Sequence, residues 1–300
     1  MQRILFICVY IAMAIDTSRA CNVCACSSLS NAIGVLPQYQ THFVGIRTTY
    51  RRFDAEHPIS ILNPTKNTSQ SIFTNAELIG RWYPSSKIQV LGFLPMNHYV
   101  QTTGASTTIK KGMGDMSIQV NYLFKTVKDS TQWKTFSMFG IGAKLATGQF
   151  QSDEPAGLQL GTGSNDFWMS SVQTLKYQKT LLMSEASYRL NGTNAFQYHF
   201  GNKLNVSERL YYSLKNRCNM YLPFIAYQFE SAKLDQAYKV NQTYTGGYSH
   251  LLGLGIDVYK NFYQIGINLM HPIKQNLGSH HVVEHNRFQL NFIYFLKSNP

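Results

Sequence analysis

The feature that most constrains this chain is a repeated alternation of apolar and polar residues at a period of two. In segment 116–124 the residues facing one way are Met116, Ile118, Val120, Tyr122 and Phe124. Three more segments, 252–258, 263–269 and 288–296, repeat the pattern. Successive side chains of a β-strand point to opposite faces, so the alternation predicts strands with one apolar and one polar face.

Turn residues divide the chain after residue 40 into about twelve such segments. We predict strands at 41–54, 70–83, 86–98, 113–126, 132–147, 162–178, 180–191, 197–213, 218–231, 244–259, 261–272 and 286–297. The connections after even-numbered strands are short, and most of those after odd-numbered strands are long: 55–69, 99–112, 148–161, 232–243 and 273–285. Short periplasmic turns and long external loops are typical of outer-membrane barrels.

The polarity of the two strand faces indicates that the barrel lies in lipid. No apolar run after residue 20 reaches the 18 residues of a membrane helix, so a membrane crossing requires strands. Charged residues make up 14% of the chain, against about 25% in ordinary globular domains. In a soluble barrel the apolar strand face points inward. Here the charged residues lie on the polar strand face, which suits a water-filled interior with the apolar face outward in lipid. We therefore predict an all-β, transmembrane antiparallel up-and-down β-barrel of about twelve strands in the bacterial outer membrane.

The first residues have the composition of a secretory signal peptide. Arg3 precedes an uncharged apolar run at 4–15, and small residues at Ser18 and Ala20 form a cleavage site. We predict a signal peptide at 1–20, a periplasmic segment with a cysteine cluster at 21–40, and the barrel at 41–300. Segment 21–40 contains apolar residues that suit a partial plug in the periplasmic mouth. The aromatic last strand is typical of barrels recognised by barrel-assembly machinery, which we expect as a partner.

The formal net charge is +12, yet Lys and Arg are scattered singly along the chain. Nucleic-acid binders concentrate their basic residues in a patch or stripe, so this distribution argues against that function. Outer-membrane lipid with anionic headgroups explains the charge more simply.

Charged residues on the polar strand faces are the candidates for solute selection. A charge at mid-membrane on the lipid face costs about 2–4 kcal/mol, so these residues are expected in the lumen. One interpretation is an interior whose salt bridges merely balance its charges. The other is a charged constriction that selects solutes. The candidates are Arg47, Arg51, Glu77, Arg81, Lys144, Glu185, Arg189, Asp257 and Arg287.

Four cysteines remain after the predicted signal peptide: Cys21, Cys24, Cys26 and Cys218. The predicted topology puts all of them on the periplasmic side. An even number in an oxidising compartment suits disulfides. Three or four thiolates would also suit a soft metal such as Cu(I) or Zn, or a partner-binding role. No other cofactor is indicated.

Two enzyme hypotheses receive little support from the sequence. Residues 281–285 match the H-x-x-E-H zinc-protease pattern, which requires a helix, but a terminal strand follows them. His199 with Ser187 or Asn202 could form the site of an outer-membrane lipid-modifying enzyme. Walker A and Rossmann fingerprints are absent from the sequence. We assign no catalytic residue, and the enzyme remains an alternative function.

Several stretches in order along the chain resemble a family of Bacteroidetes outer-membrane transporters related to the MetA-pathway of phenol degradation family. This sequence departs from the family pattern at Ala25, where we expect Gly, and at Ala146, where we expect Pro. The resemblance implies an outer-membrane barrel that transports small aromatic or hydrophobic molecules through its lumen. The matching stretches are 24–28, 33–39, 42–47, 112–115, 144–148 and 161–167.

Overall fold

A computed structural model of the chain describes residues 41–57, 67–128, 133–151, 158–216 and 219–296. In these ranges the chain forms twelve long strands. They are β1 (Phe43–His57), β2 (Asn67–Ser85), β3 (Ile88–Thr103), β4 (two segments, Ser106–Met113 and Ser117–Lys128), β5 (Trp133–Lys144), β6 (Asp166–Tyr177), β7 (Thr180–Leu190), β8 (Lys203–Tyr212), β9 (Asn219–Ala232), β10 (Gly247–Lys260), β11 (Tyr263–Leu277) and β12 (Arg287–Phe295).

The sheet closes on itself. Each long strand pairs antiparallel with the next, and β1 pairs with β12 from Phe43 opposite Phe295 to Tyr50 opposite Phe288. Closure pairs the backbone groups of the first and last strands, which a lipid environment requires. The predicted fold class, an antiparallel transmembrane barrel of about twelve strands, is confirmed. In the described ranges, no helix has the length and apolarity needed to span a membrane.

The outward face of the barrel is apolar, as the alternation predicts. Ile118 and Tyr122 on β4 are 48% and 49% exposed, whereas Gln119 between them is 1% exposed. Outward residues of the other segments with the same alternation are also exposed, including Leu252, Leu254, Ile265, Ile267, Phe288, Leu290 and Phe292. Together they form a lipid-facing band.

The two ends of the barrel differ in their connections. At one end the turns are short, at 86–87, 178–179 and 261–262, and both Phe43 and Phe295 lie there. At the other end the connections 145–165, 191–202 and 233–246 are longer. We call these the short-turn end and the long-loop end. In outer-membrane barrels the short turns face the periplasm.

Three predicted boundaries at the long-loop end are wrong. The predicted loop 99–112 is mostly strand, because β3 and the first segment of β4 continue to a tight turn at Gly104, whose φ is +57°. The predicted strand 197–213 begins instead at Lys203. The predicted loop 273–285 contains the end of β11 and a short strand, Val282–Glu284, that pairs with β1. The hairpins at 99–112 and 273–285 extend beyond the apolar band. Their outward residues do not face lipid, so the sequence there shows no regular apolar alternation.

Part of the long-loop end forms a small separate sheet. Its strands are Tyr198–His199, Gln236–Ala237 and Val240–Asn241, contributed by the connections after β7 and β9. The remaining short strand, Leu214–Lys215, pairs with the start of β9 at the short-turn end. The predicted signal peptide, the 21–40 segment and its plug lie outside the described residues, as do Cys21, Cys24, Cys26 and Cys218.

Candidate functional site

The nine charged residues predicted to face the lumen all lie on the interior face of the barrel. Eight are buried, and Arg51 is partly buried. Their burial follows from strand alternation, because each has lipid-facing neighbours before and after it. They do not form one site, and the structure distributes them over four groups at different positions in the interior.

The first group is a network of two arginines and two glutamates, which we call the lumen network: Arg51, Glu230, Glu284 and Arg287. The Arg287 Nη1 and Nη2 atoms donate to the two Glu230 carboxylate oxygens, each at 2.8 Å. Nη2 also donates to Glu284 Oε1 at 2.9 Å, and Arg51 Nε donates to the same oxygen at 2.9 Å. Bidentate pairing of this kind is strong and directional.

The lumen network bridges distant parts of the wall. Glu230 lies on β9 and Arg287 on β12, so their salt bridge passes β10 and β11 on the inside of the barrel. Arg51 on β1 lies 3.6 Å from Glu230 and extends the connection by one more strand. A cross-link of this kind narrows the interior.

The second group lies nearer the short-turn end. Arg47 and Glu77 form a buried salt bridge between β1 and β2. Arg81 stacks over the rings of Phe43 at 4.4 Å and Tyr83 at 5.4 Å, and its Nε donates to the Thr41 carbonyl at 3.0 Å. These contacts are cation–π and hydrogen-bonding interactions.

The third group, which we call the lysine node, consists of Lys144, Asp115, Asp166 and Thr162. Lys144 Nζ lies 3.0 Å from Asp115 Oδ2 and 2.6 Å from Asp166 Oδ2. Asp115 accepts hydrogen bonds from the Thr162 backbone and hydroxyl at 2.8 and 2.9 Å, and from the Gly148 N–H at 2.9 Å. The node therefore ties both ends of the β5–β6 connection to β4 and β5.

The β5–β6 connection folds into the barrel, and we call its described residues, 145–151 and 158–165, the inward loop. Leu158 is buried in a cluster with Phe53, Phe73 and Tyr99, which come from β1, β2 and β3. The Leu160 carbonyl accepts a hydrogen bond from Asn97 Nδ2 at 2.8 Å. The inward loop therefore covers part of the long-loop end of the lumen.

Three of the stretches that carry the family resemblance meet at the lysine node: 112–115, 144–148 and 161–167. The two ends of the inward loop also approach each other closely there, since a Cβ on Gly148 would lie 2.8 Å from the Cα of Gly161. Gly161 and Asp166 both take part in these contacts. The stretches therefore act together in positioning the inward loop.

The fourth group occupies the wall from β6 to β11. Asp257 accepts a hydrogen bond from Gln264 at 2.9 Å. Arg209 and Arg189 stack over Phe224 and Trp168 at 5.2 and 4.9 Å, respectively. Glu185 is buried on the same wall.

Some charged interior residues were not among the sequence candidates: Asp115, Asp166, Arg209, Glu230 and Glu284. Arg209 and Glu230 follow the alternation of β8 and β9, so extending the inward register of those strands would have found them. Glu284 was considered only within the 281–285 motif.

The interior also contains apolar side chains, which the prediction of a polar inward face did not include. One cluster lines β5 to β11 and includes Phe136, Met183, Tyr211 and Phe224. Another contains Phe43, Ile79, Leu91, Phe93 and Ile293 at the short-turn end. Tyr259 packs against the first cluster, Phe295 against the second, and their rings stack at 6.1 Å. Twelve strands enclose an interior between that of a side-chain-filled eight-stranded barrel and that of an open porin, and these clusters occupy part of it.

Inward glycines let large side chains lie flat against the wall. A Cβ on Gly142 would lie 2.1 Å from Trp168 Cε2, so only glycine leaves room for the indole on the neighbouring strand. The Trp168 Nε1 donates to Gln119 Oε1 at 2.7 Å, which holds the ring in that position.

Replacing Gly142 by alanine is expected to push the Trp168 ring off the wall and break its bond to Gln119. Overpacking of this kind costs about 1–3 kcal/mol. Quenching of tryptophan fluorescence by acrylamide in detergent should increase, and the increase should vanish in a background carrying Trp168→Phe. An unchanged quenching curve would contradict the packing.

The enzyme and metal hypotheses receive no support from the described residues. Residues 282–284 form a strand, not the helix that an H-x-x-E-H site needs, and Glu284 pairs with arginines. Ser187 is 2% exposed on the interior face, not the lipid face that an outer-membrane hydrolase would use. In the ranges described, no three His, Cys, Asp or Glu residues cluster as metal ligands would.

A closed antiparallel barrel with an apolar outer band and a charged interior is an outer-membrane β-barrel protein, and the chain is located accordingly. No protein-family model and no curated protein matches it. Its fold is similar to the COG4313 outer membrane channel from Pseudomonas putida F1, with a TM-score of 0.68 and 12% identity over 89% of this chain and 98% of that one.

Two further structures are more distant. The beta domain of the Bordetella autotransporter Brka has a TM-score of 0.49 and 9% identity, over 85% of this chain and 100% of that one. The KdgM porin has a TM-score of 0.40 and 7% identity, over 83% of this chain and 99% of that one.

Proposed function

We propose that this protein is an outer-membrane channel for small solutes with an aromatic or hydrophobic part, and that the lumen is the path. The observation that carries the proposal is the mixed lining of the interior. Interior arginines lie directly over rings of the buried clusters: Arg51 over Phe53, Arg81 over Phe43 and Arg209 over Phe224. Apolar rings favour an apolar solute body, and charged groups orient its polar end.

The similarity to the COG4313 outer membrane channel supports the barrel as a channel scaffold. The family resemblance adds the solute class, since members are associated with transport of small aromatic molecules. The salt bridge that crosses the interior and the buried clusters inside the barrel favour small solutes over oligomers. Selection by the charged residues, including Glu185, Arg189 and Asp257, forms part of the same proposal.

A solute comparison tests the proposed class. In liposomes containing the protein, a phenol-sized aromatic solute is expected to enter faster than a sugar alcohol of similar size, after subtraction of the rate in protein-free liposomes. The apolar clusters offer the aromatic ring contacts that the polyol lacks. Equal protein-dependent rates would contradict the solute class, and no protein-dependent uptake of either solute would contradict a channel.

The path can be tested at two adjacent residues on β9. Ala226 is 2% exposed on the interior face, and Ile225 is 52% exposed on the lipid face. In a background with Cys21, Cys24, Cys26 and Cys218 replaced by serine, we expect a bulky thiol reagent to reduce flux through Ala226→Cys. The Ile225→Cys variant is the matched control and should keep its flux. A flux that survives confirmed modification of Cys at 226 would exclude this part of the lumen from the path.

A further inference from the structure

The outward surface near the long-loop end carries a row of basic and imidazole side chains that no channel function requires. Their exposed positions alternate with inward residues on the same strands, so they face the surroundings and not the lumen. We call this row the outer basic belt. It consists of Arg52 on β1, His98 on β3, Lys111 on β4, His250 on β10, His271 and Lys274 on β11, and His285 just before β12.

The belt lies near the long-loop edge of the lipid-facing band, with Ile109 and Ile273 exposed beyond it. On five strands a belt residue occupies the outward position next to a large apolar residue and nearer the long-loop end. The pairs are Tyr50 and Arg52, Met96 and His98, Met113 and Lys111, Leu252 and His250, and Leu269 and His271. Side chains at this level contact lipid headgroups, because the apolar band beneath them matches the acyl chains.

Neighbouring belt residues lie side by side across strand pairs. Lys111 is directly opposite His98, and Lys274 is directly opposite His250. In the described part of the chain neither Lys111 nor Lys274 forms a salt bridge, so both ammonium groups remain available to a ligand. Each of these two pairs places two hydrogen-bond donors side by side on the outward surface near the long-loop end.

The acidic residues of this surface are few. Asp54 lies 2.7 Å from His285 Nε2 and 3.4 Å from Arg52 Nη2, so it links two belt residues. Glu56 lies one outward position further along β1. Arg52 and His285 nevertheless keep 41% and 42% of their side chains exposed.

The belt covers only one side of the barrel. On the side formed by β5 to β9, the outward residues at the strand ends are apolar and uncharged: Leu145, Phe167, Leu190, Leu204 and Phe229. The exposed Lys233 and Lys239 lie beyond these strand ends, in the connection after β9. A general adaptation to the membrane surface would surround the barrel. A one-sided belt is instead suited to lipids bound on that side of the barrel.

We propose that the outer basic belt binds phosphorylated lipids of the outer leaflet, with phosphate groups at Lys111, Arg52 and Lys274 along the belt and acyl chains on the apolar band below. Ammonium and guanidinium groups form charge-assisted hydrogen bonds to phosphate, and imidazole N–H groups add further donors. The occupant is a lipid and not free phosphate, because the apolar band continues directly from the belt.

The test uses lipid A, the phosphorylated anchor of lipopolysaccharide, and the full-length protein in detergent. Replacing Arg52, Lys111 and Lys274 together by glutamine is expected to weaken lipid A binding by about fivefold for each cation removed. Dephosphorylated lipid A should bind the unchanged protein as weakly as lipid A binds the triple variant. Solute flux should stay unchanged, because all three side chains lie outside the lumen.

A charge-matched control is available at the opposite end. Lys87, Lys179 and Lys260 are exposed at the short turns, and their replacement by glutamine changes the net charge equally. Lipid A binding should survive this change. The proposal is overturned if both triple variants lose affinity equally, if the belt variant loses none, or if dephosphorylated lipid A binds as well as lipid A. Binding of inorganic phosphate as tightly as lipid A would overturn the lipid as occupant.

Discussion

Replacing Arg287 by methionine is expected to shift the proposed channel towards cation selectivity and to destabilise the barrel by about 3–5 kcal/mol. Arg287 contacts both glutamates of the lumen network, at 2.8 Å to Glu230 and 2.9 Å to Glu284. Without it, Arg51 is the remaining network cation for two carboxylates. The uncompensated negative charge should attract cations and repel anions in this part of the lumen. The reversal potential in a KCl gradient across a planar bilayer measures the shift.

A second variant that restores the charge balance of the lumen network shows whether the change in selectivity comes from electrostatics or from a packing defect. The double variant Arg287→Met with Glu284→Gln carries one positive and one negative network charge, so its reversal potential should return towards that of the unchanged protein. Arg52→Met is the matched control, because Arg52 neighbours Arg51 in sequence but its side chain is 41% exposed on the outward face. It should leave selectivity unchanged. An unaltered reversal potential in Arg287→Met would contradict a role of the network in ion selection.

Most of the fold could be predicted from the alternation of apolar and polar residues. The reason is that the contrast between lipid outside and a polar interior constrains each strand independently of the rest of the chain. A residue such as Ile118 must face lipid and Gln119 must face the interior, whatever the rest of the chain does. The same logic placed Arg47 and Arg287 inside. The strand count followed from the turn residues. Boundaries failed where this constraint ends, as in β3 beyond the apolar band, where Thr102 and Thr107 lie near a tight turn in a polar hairpin.

The partners of the interior charges could not be predicted, because they depend on strand register and curvature. Glu230 and Arg287 are 57 residues apart and meet across two intervening strands. The interior apolar clusters were missed for a different reason. Alternation separates lipid-facing from inward positions, but it does not determine how narrow the barrel is, and narrowness allows inward rings such as those of Tyr259 and Phe295 to pack together.

Replacing Lys144 by methionine is expected to open the long-loop end and to lower stability by about 3–5 kcal/mol. The side chains of Lys144 and Asp115 are each 5% exposed, so the charges of the lysine node are shielded from water. Without the ammonium group, the carboxylates of Asp115 and Asp166 repel each other in a buried site. The least costly response is for Thr162 and Gly148 to leave Asp115, which frees the inward loop and lets water reach the carboxylates.

Two measurements follow from release of the inward loop. Single-channel conductance of Lys144→Met should rise, and the folded band in semi-native electrophoresis should be lost at a lower temperature. The double variant Lys144→Met with Asp166→Asn removes one of the repelling carboxylates and should recover part of both properties. Lys134→Met on the same strand, where the side chain is exposed, is the matched control and should behave like the unchanged protein. If Lys144→Met kept both its conductance and its unfolding temperature, the lysine node would not be what holds the inward loop in the lumen.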